Sequence, residues 1–125
     1  MATKQRAHLI TGGFPPGSPG GHDMDYARLQ LLQYLKAADN LAVTTANDFQ
    51  DIERWLPGTD LLVTYVAGPY PVGRGIDALQ DWLEKGGRWL ALHGTSGGKA
   101  VKIERGGRTV KQMVKDKHHE TLGCF

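Results

Sequence analysis

Two of the chain's five histidines, His22 and His93, stand where a glycine-rich turn meets a regular element. An imidazole exchanges a proton near neutral pH and also binds divalent transition metals. His93 lies within residues 86–98 (GGRWLALHGTSGG). Gly86 and Gly87 stop a preceding helix, because glycine takes up the left-handed cap conformation cheaply. Trp89, Leu90, Ala91 and Leu92 form an apolar run without alternation, as in a strand covered on both faces. His93 follows at the carboxyl end of that strand, and Gly94, Thr95, Ser96, Gly97 and Gly98 turn the chain away. His22 follows another glycine-rich stretch and opens a helical pattern. In open α/β sheets, ligands bind outside the carboxyl ends of the strands, so both imidazoles are expected on one edge.

Two neutral imidazoles with a carboxylate, Asp23 or Asp25, would suit a divalent transition metal. One histidine could instead act as general base on an acidic carbon–hydrogen bond. The simpler alternative makes His22 a neighbour of a helix cap and His93 a buried residue bonded to a loop carbonyl. At the carboxyl edge of the third strand, Tyr65 and Tyr70 could stack on a ligand ring and Arg74 could clamp an anionic group, though a packed rim with a solvated arginine is the simpler reading. Gly12 and Gly13, with Gly94 and Thr95, would line the pocket. Thr95 and Ser96 could equally cap a following helix.

The elements that must position these groups are readable from periodicity. Residues 7–11 (AHLIT) read as a first strand, and residues 12–21, with three prolines and five glycines, as a loop. This loop lacks the GxxxxGK[ST] and GxGxxG patterns, and its prolines remove backbone donors, so it reads as a lip of the pocket rather than a phosphate cradle. Asp23 or Asp25 caps the next helix, whose stripe is Met24, Ala27, Leu31, Leu35 and Ala38, widened by Leu32. Residues 41–46 form a second strand, residues 48–56 a short helix or turn, and residues 60–66 a third strand. Ile76, Leu79, Trp82 and Leu83 mark another helix before the strand at residues 88–93. This βαβαβαβ order with short connectors predicts a doubly wound parallel sheet.

Residues 101–105 and 108–114 could form a hairpin on Gly106–Gly107, with Ile103 near Val110, or equally a surface insertion. His118, His119 and Glu120 read as a surface turn, their adjacent side chains diverging too much to chelate one metal, with one of the two histidines alternatively facing the pocket. Cys124 reads as a small buried strand residue.

At 125 residues, 40% hydrophobic and 22% charged, the chain suits a single globular domain. It carries no membrane-length apolar run and no secretory signal pattern. One cysteine excludes an intrachain disulfide framework, and a cytoplasmic location is expected. The net charge of +2 is uneven. Residues 1–94 hold 8 Lys and Arg against 10 Asp and Glu, and residues 95–125 hold 7 against 3. The basic residues of that last quarter are interspersed with apolar ones, as on a solvated face, and neither nucleic acid nor membrane is an expected partner.

The first strand ending in TGG, His22 before a helix, the strand DLLVTYV and the GG-x₄-LHG element at residues 86–94 together resemble the ThuA-like (trehalose-utilisation) proteins. The resemblance covers residues 6–95 and, more weakly, 118–125, where Leu122-Gly123-Cys124-Phe125 matches an LG-x-F segment. It implies a class I glutamine-amidotransferase-like, flavodoxin-like fold: a three-layer α/β/α sandwich on a parallel sheet, here C-terminally incomplete, with an irregular basic segment over residues 96–125. True amidotransferases carry a cysteine nucleophile at the strand-to-helix elbow. The matching position looks like His93, and Cys124 is not at an elbow, so glutamine hydrolysis is not expected. The resemblance implies carbohydrate metabolism, with a trehalose-related or keto-sugar substrate. The expected activity is proton transfer or isomerisation on the sugar, or a hydrolase-like reaction, with His22 and His93 central, and a divalent metal is the one candidate cofactor. The alternative is a non-catalytic interaction domain that completes its sheet with a partner or as a homo-oligomer.

Overall fold

The structure, a computed structural model, describes residues 3–14, 21–97 and 99–123. Four strands form one parallel sheet: β1 (Gln5–Gly12), β2 (Leu41–Ala46), β3 (Leu61–Val66) and β4 (Arg88–Leu92), in the order β2-β1-β3-β4. The helices are α1 (Met24–Lys36), α2 (Ile52–Trp55) and α3 (Arg74–Glu84). The protein is therefore a mixed α/β domain with a four-stranded parallel sheet flanked by helices, as its alternating sequence predicts.

Side-chain alternation along β1 separates the two faces. Ile10 points to one face and joins Phe49, Ile52, Leu62, Ile76 and Leu79 in the main core beneath α2 and α3. Ala7, Leu9 and Thr11 point to the other, where α1 packs on β1 and β2. Trp82 and Trp89 complete the core with their polar edges satisfied. Trp82 Nε1 donates to the Thr59 carbonyl at 2.8 Å, and Trp89 Nε1 donates to Thr64 Oγ1 at 2.9 Å. His8, buried mid-strand, stacks on Trp55 with ring centroids 5.0 Å apart, and its Nδ1 pairs with Thr44 Oγ1 at 2.7 Å.

The element boundaries follow physical stops. Asp23 caps α1, its Oδ1 accepting from the Tyr26 N–H at 2.8 Å. The α1 stripe ends at Lys36, which leaves Ala38 in an exposed turn. The expected fourth strand ends one residue early, because His93 begins a one-turn 3-10 helix, His93–Thr95.

Beyond that turn the chain forms the hairpin, β5 (Lys99–Arg105) and β6 (Arg108–Val114), with Ile103 opposite Val110. It then enters a short helix, α4 (Lys117–Leu122). In place of the expected irregular segment, residues 99–114 form a hairpin and residues 117–122 a helix. The expected surface turn at His118–Glu120 is corrected: both histidines are buried in α4, and only Glu120 is exposed. Cys124 lies outside the described residues, as does most of the loop at residues 12–21. Among the described residues no helix is long and apolar enough to cross a membrane.

Candidate functional site

The carboxyl edge of the sheet brings His22 and His93 together. Parallel pairing of β3 with β4 sets Leu92 opposite Tyr65, so the next residue emerges above the Tyr65 ring. There the backbone turns sharply, with His93 at φ 50°. A non-glycine residue in this left-handed region carries strain, which neighbouring contacts must offset. Gly94 permits the turn to sit low, since a Cβ there would lie 3.0 Å from the Val66 carbonyl oxygen. The His93 ring lies nearly parallel to Tyr65, with centroids 5.5 Å apart and planes 25° apart.

His22 approaches from the other side, held by the start of α1. Its neighbour Asp23 is fixed as the cap, so the imidazole leaves the chain at a set angle. The preceding Gly21 has φ 111°, and a Cβ there would stand 2.5 Å from the Phe14 ring. The close Phe14 ring flanks His22 edge-on, with centroids 6.3 Å apart. The result is an Nε2···Nε2 separation of 2.8 Å between His22 and His93, with the rings at 73°. Both imidazoles are exposed, so the pair faces solvent and any ligand. One ring donates an Nε2–H to the lone pair of the other.

This pair closes one end of a two-part cleft. The inner part is a hollow of about 110 Å³ between the imidazoles, Phe14, Met24, Tyr65 and Gly94. It shares Phe14, Ala67 and Gly94 with an outer hollow of about 700 Å³ that also involves Gly13, Tyr70 and Asp116. Gly12 closes the end of β1, its carbonyl accepting from the Ala67 N–H at 3.0 Å.

Other expected site residues have different engagements. Thr95 is fully buried, and its hydroxyl accepts from the Val66 N–H at 2.9 Å, which joins the turn to the end of β3. The Tyr70 hydroxyl donates to the Gly94 carbonyl at 2.7 Å. Burial pushes the Tyr70 phenol pKa up, and the nearby Asp116 carboxylate adds to this. Arg74 is the first residue of α3 and lines a separate hollow with Asp48, Asp51 and Glu53. The structure does not bring it to the histidines.

The pair supplies two imidazole nitrogens toward a metal. Of the two carboxylates nearest in sequence, Asp23 accepts from the Tyr26 N–H at 2.8 Å, and Asp25 is exposed, with Arg28 3.7 Å away. Among the described residues no group of three or more His, Cys, Asp or Glu side chains is placed to hold an ion. Catalytic zinc sites use three protein ligands, so the described donors form an incomplete set.

Three contributors were not legible in the sequence. Phe14 sits in a loop marked only by its composition. Arg28 donates to the Thr11 carbonyl at 3.2 Å and to the Asn47 side chain, which braces the ends of β1 and β2 beside the cleft. Its i,i+3 spacing from Asp25 was the available signal. His118 is the third: its Nε2 donates to the Thr95 carbonyl at 2.9 Å, and its ring stacks on Tyr70 at 4.1 Å. Burial pushes the His118 pKa down, the Thr95 carbonyl bond raises it, the neighbouring His119 lowers it, and Asp116 raises it. No family model matches this chain, nor does any curated protein or solved structure.

Proposed function

We propose that this domain is a ThuA-like, sugar-handling enzyme that moves a proton at the carbon beside a carbonyl, with His22 and His93 as its acid–base pair. The observation that carries the reading is the 2.8 Å Nε2···Nε2 contact between two exposed imidazoles at the carboxyl edge of a parallel sheet. Proton transfer needs one group that accepts and one that gives, both close to the reacting atoms. In the proposed step, one imidazole nitrogen takes the proton from carbon. The C–H electron pair becomes the C=C bond of an enediol, and the carbonyl oxygen takes a proton from the other imidazole. The first imidazole then returns its proton to the former carbonyl carbon while the second takes the proton of the neighbouring enediol hydroxyl, which becomes the new carbonyl, so the isomer forms and both rings are restored. The small inner hollow admits the reacting end of a ligand, and the aromatic faces of Phe14 and Tyr65 suit the C–H face of a sugar. The larger outer hollow takes the remainder.

The strand order β2-β1-β3-β4, with α1 opposite α2 and α3, supports a flavodoxin-like, three-layer α/β/α arrangement of the amidotransferase-like kind. His93 at a strained strand-to-turn elbow supports its correspondence with the nucleophile position of that superfamily. A divalent metal held by the same two nitrogens would polarise the carbonyl instead.

The test is incubation with a panel of keto-sugars in D₂O, followed by proton NMR. The expected result is deuterium entering beside the carbonyl, abolished by His93→Ala and by His22→Ala. Exchange that survives both substitutions overturns the reading, and exchange that stops on chelation moves the chemistry to the metal. A second reading, a non-catalytic domain that pairs with a partner or a second copy, has one observation in its favour. Leu90 on the open edge strand β4 is 50% exposed.

A further inference from the structure

The turn that carries His93 is gripped from outside by two side chains that do not reach the inner hollow. Gly94 and Thr95 follow His93, and their carbonyls have left the sheet ladder. The Tyr70 hydroxyl donates to the first at 2.7 Å, and His118 Nε2–H donates to the second at 2.9 Å. The two gripping rings stack on each other, with centroids 4.1 Å apart and planes 24° apart. His119 braces α4 from within, its Nδ1 accepting from the Asp116 N–H at 2.8 Å. At the far side, α4 is moored to α3: Gln80 Nε2 donates to Thr121 Oγ1 at 3.1 Å, and Lys117 lies 3.5 Å from Asp77.

His118 is a costly choice for mere filling. It is fully buried, and its Nδ1 has no partner among the described residues. Burying a polar nitrogen without a bond is unfavourable, and a leucine would fill a similar space without that cost. What the imidazole adds is the Nε2–H aimed at Thr95. A left-handed non-glycine residue persists only where its surroundings over-determine it. The two carbonyl grips supply that determination immediately after His93.

We propose that Tyr70 and His118 are positioning residues, which together clamp the His93 turn and hold its imidazole against Tyr65 and His22. The role of the clamp in catalysis rests on the acid–base reading above, but the clamp itself is a property of the free protein. The hairpin β5–β6 thus serves to carry the chain away from the sheet edge and return it as the clamp helix.

The experiment uses NMR on the full chain without ligand, in wild type, Tyr70→Phe, His118→Leu and His118→Gln. Two quantities are read. One is the shift of the carbon-bound ring protons of His93, which the stacked Tyr65 ring displaces. The other is amide exchange at Ser96 and Gly97, whose N–H groups bond back to the His93 and Gly94 carbonyls. Tyr70→Phe and His118→Leu are each expected to speed that exchange about tenfold, the worth of one good hydrogen bond. Both are expected to return the His93 protons toward unstacked positions, while the His8–Trp55 signals stay fixed. His118→Gln keeps a donor at a similar reach and is expected to restore both readouts. Unchanged shifts and exchange in folded Tyr70→Phe and His118→Leu overturn the proposal. So does His118→Gln behaving as His118→Leu, since shape rather than the bond would then matter. If His118→Leu does not fold, Tyr70→Phe decides alone. Failure of the acid–base reading would instead leave this clamp intact and show only as turnover surviving His93→Ala.

Discussion

The molecule holds two histidine pairs, and they are opposites. His22 and His93 come from elements 71 residues apart, are exposed, and aim their Nε2 atoms at each other across 2.8 Å. His118 and His119 are adjacent, buried, and have ring centroids 3.8 Å apart, yet their mapped bonds go to the backbone, at the Thr95 carbonyl and the Asp116 N–H. The expected divergence of these adjacent side chains does not hold, since the two rings lie side by side, yet each bonds a different backbone group. Distant side chains meet only where the fold converges, and here the point of convergence is the sheet's carboxyl edge. The contrast separates a pair available for chemistry from a pair committed to structure.

Substitution should break that contrast most strongly at the level of activity. His22→Ala or His93→Ala is expected to lower keto-sugar proton exchange by about 10²- to 10⁴-fold, the usual worth of a general acid or base. The double substitution should cost little more than either alone, because two groups that pass one proton act as a unit. Thermal melting of the single variants should stay within a few degrees of wild type, since exposed side chains contribute little packing. The reverse holds for the buried pair. His118→Ala removes a stacked ring and a hydrogen bond from a site that cannot readily collapse. It is expected to cost about 2–4 kcal/mol in urea unfolding. Equal stability losses at His93 and His118 would erase the distinction between the pairs.

How much of this was legible in the sequence depends on the range of the interactions. The four parallel strands are apolar runs between turn residues, and they appear within three residues of the expected bounds. Of the two readings open for residues 101–114, the hairpin on Gly106–Gly107 is the one formed, with Ile103 opposite Val110. The meeting of His22 with His93 follows from topology, since every parallel strand delivers its carboxyl end to the same edge. The burial of His118 and His119 was hidden, because KHHETL is polar and only its docking against Tyr70 and the turn buries it. Arg74 opens α3 behind its cap Gly73 and lines another hollow, which leaves the solvated-arginine reading standing. Of the carboxylates offered for a metal, Asp23 caps α1 and Asp25 stays exposed beside Arg28, a placement that sequence spacing alone does not give.

Acid sharpens the comparison through the buried rings. Desolvation holds the pKa of His118, and of His8, below the ordinary imidazole value. The unfolded chain therefore binds more protons than the native protein once pH falls below about 6.5, the unperturbed histidine value. Stability rises with pH wherever the unfolded state binds more protons, so these groups contribute least in acid. Unfolding free energy is expected to fall as pH drops from 7 toward 5, then level off once the native rings also titrate. His118→Leu should make that fall shallower, with His8 supplying the remainder. A His118→Leu variant with the wild-type slope, measured by urea melts at several pH values, would show that the buried ring does not govern the acid response.

The smallest effect concerns the backbone under His93. Its φ of 50° is a conformation that costs an L residue about 1–2 kcal/mol and glycine almost nothing. His93→Gly should release that strain while giving up the Tyr65 stack and adding disorder to the unfolded chain. These contributions oppose one another, so the variant is expected to be as stable as wild type or up to about 1 kcal/mol more stable. His93→Ala keeps the strain and loses the stack, so it should be the less stable of the two. Proton exchange should vanish in both. A turn that tightens when its histidine is removed, in a protein that then does nothing, is the signature of a side chain held in place for chemistry. If His93→Gly is instead clearly less stable than His93→Ala, the left-handed turn carries no strain worth releasing, and the imidazole is there to support the fold.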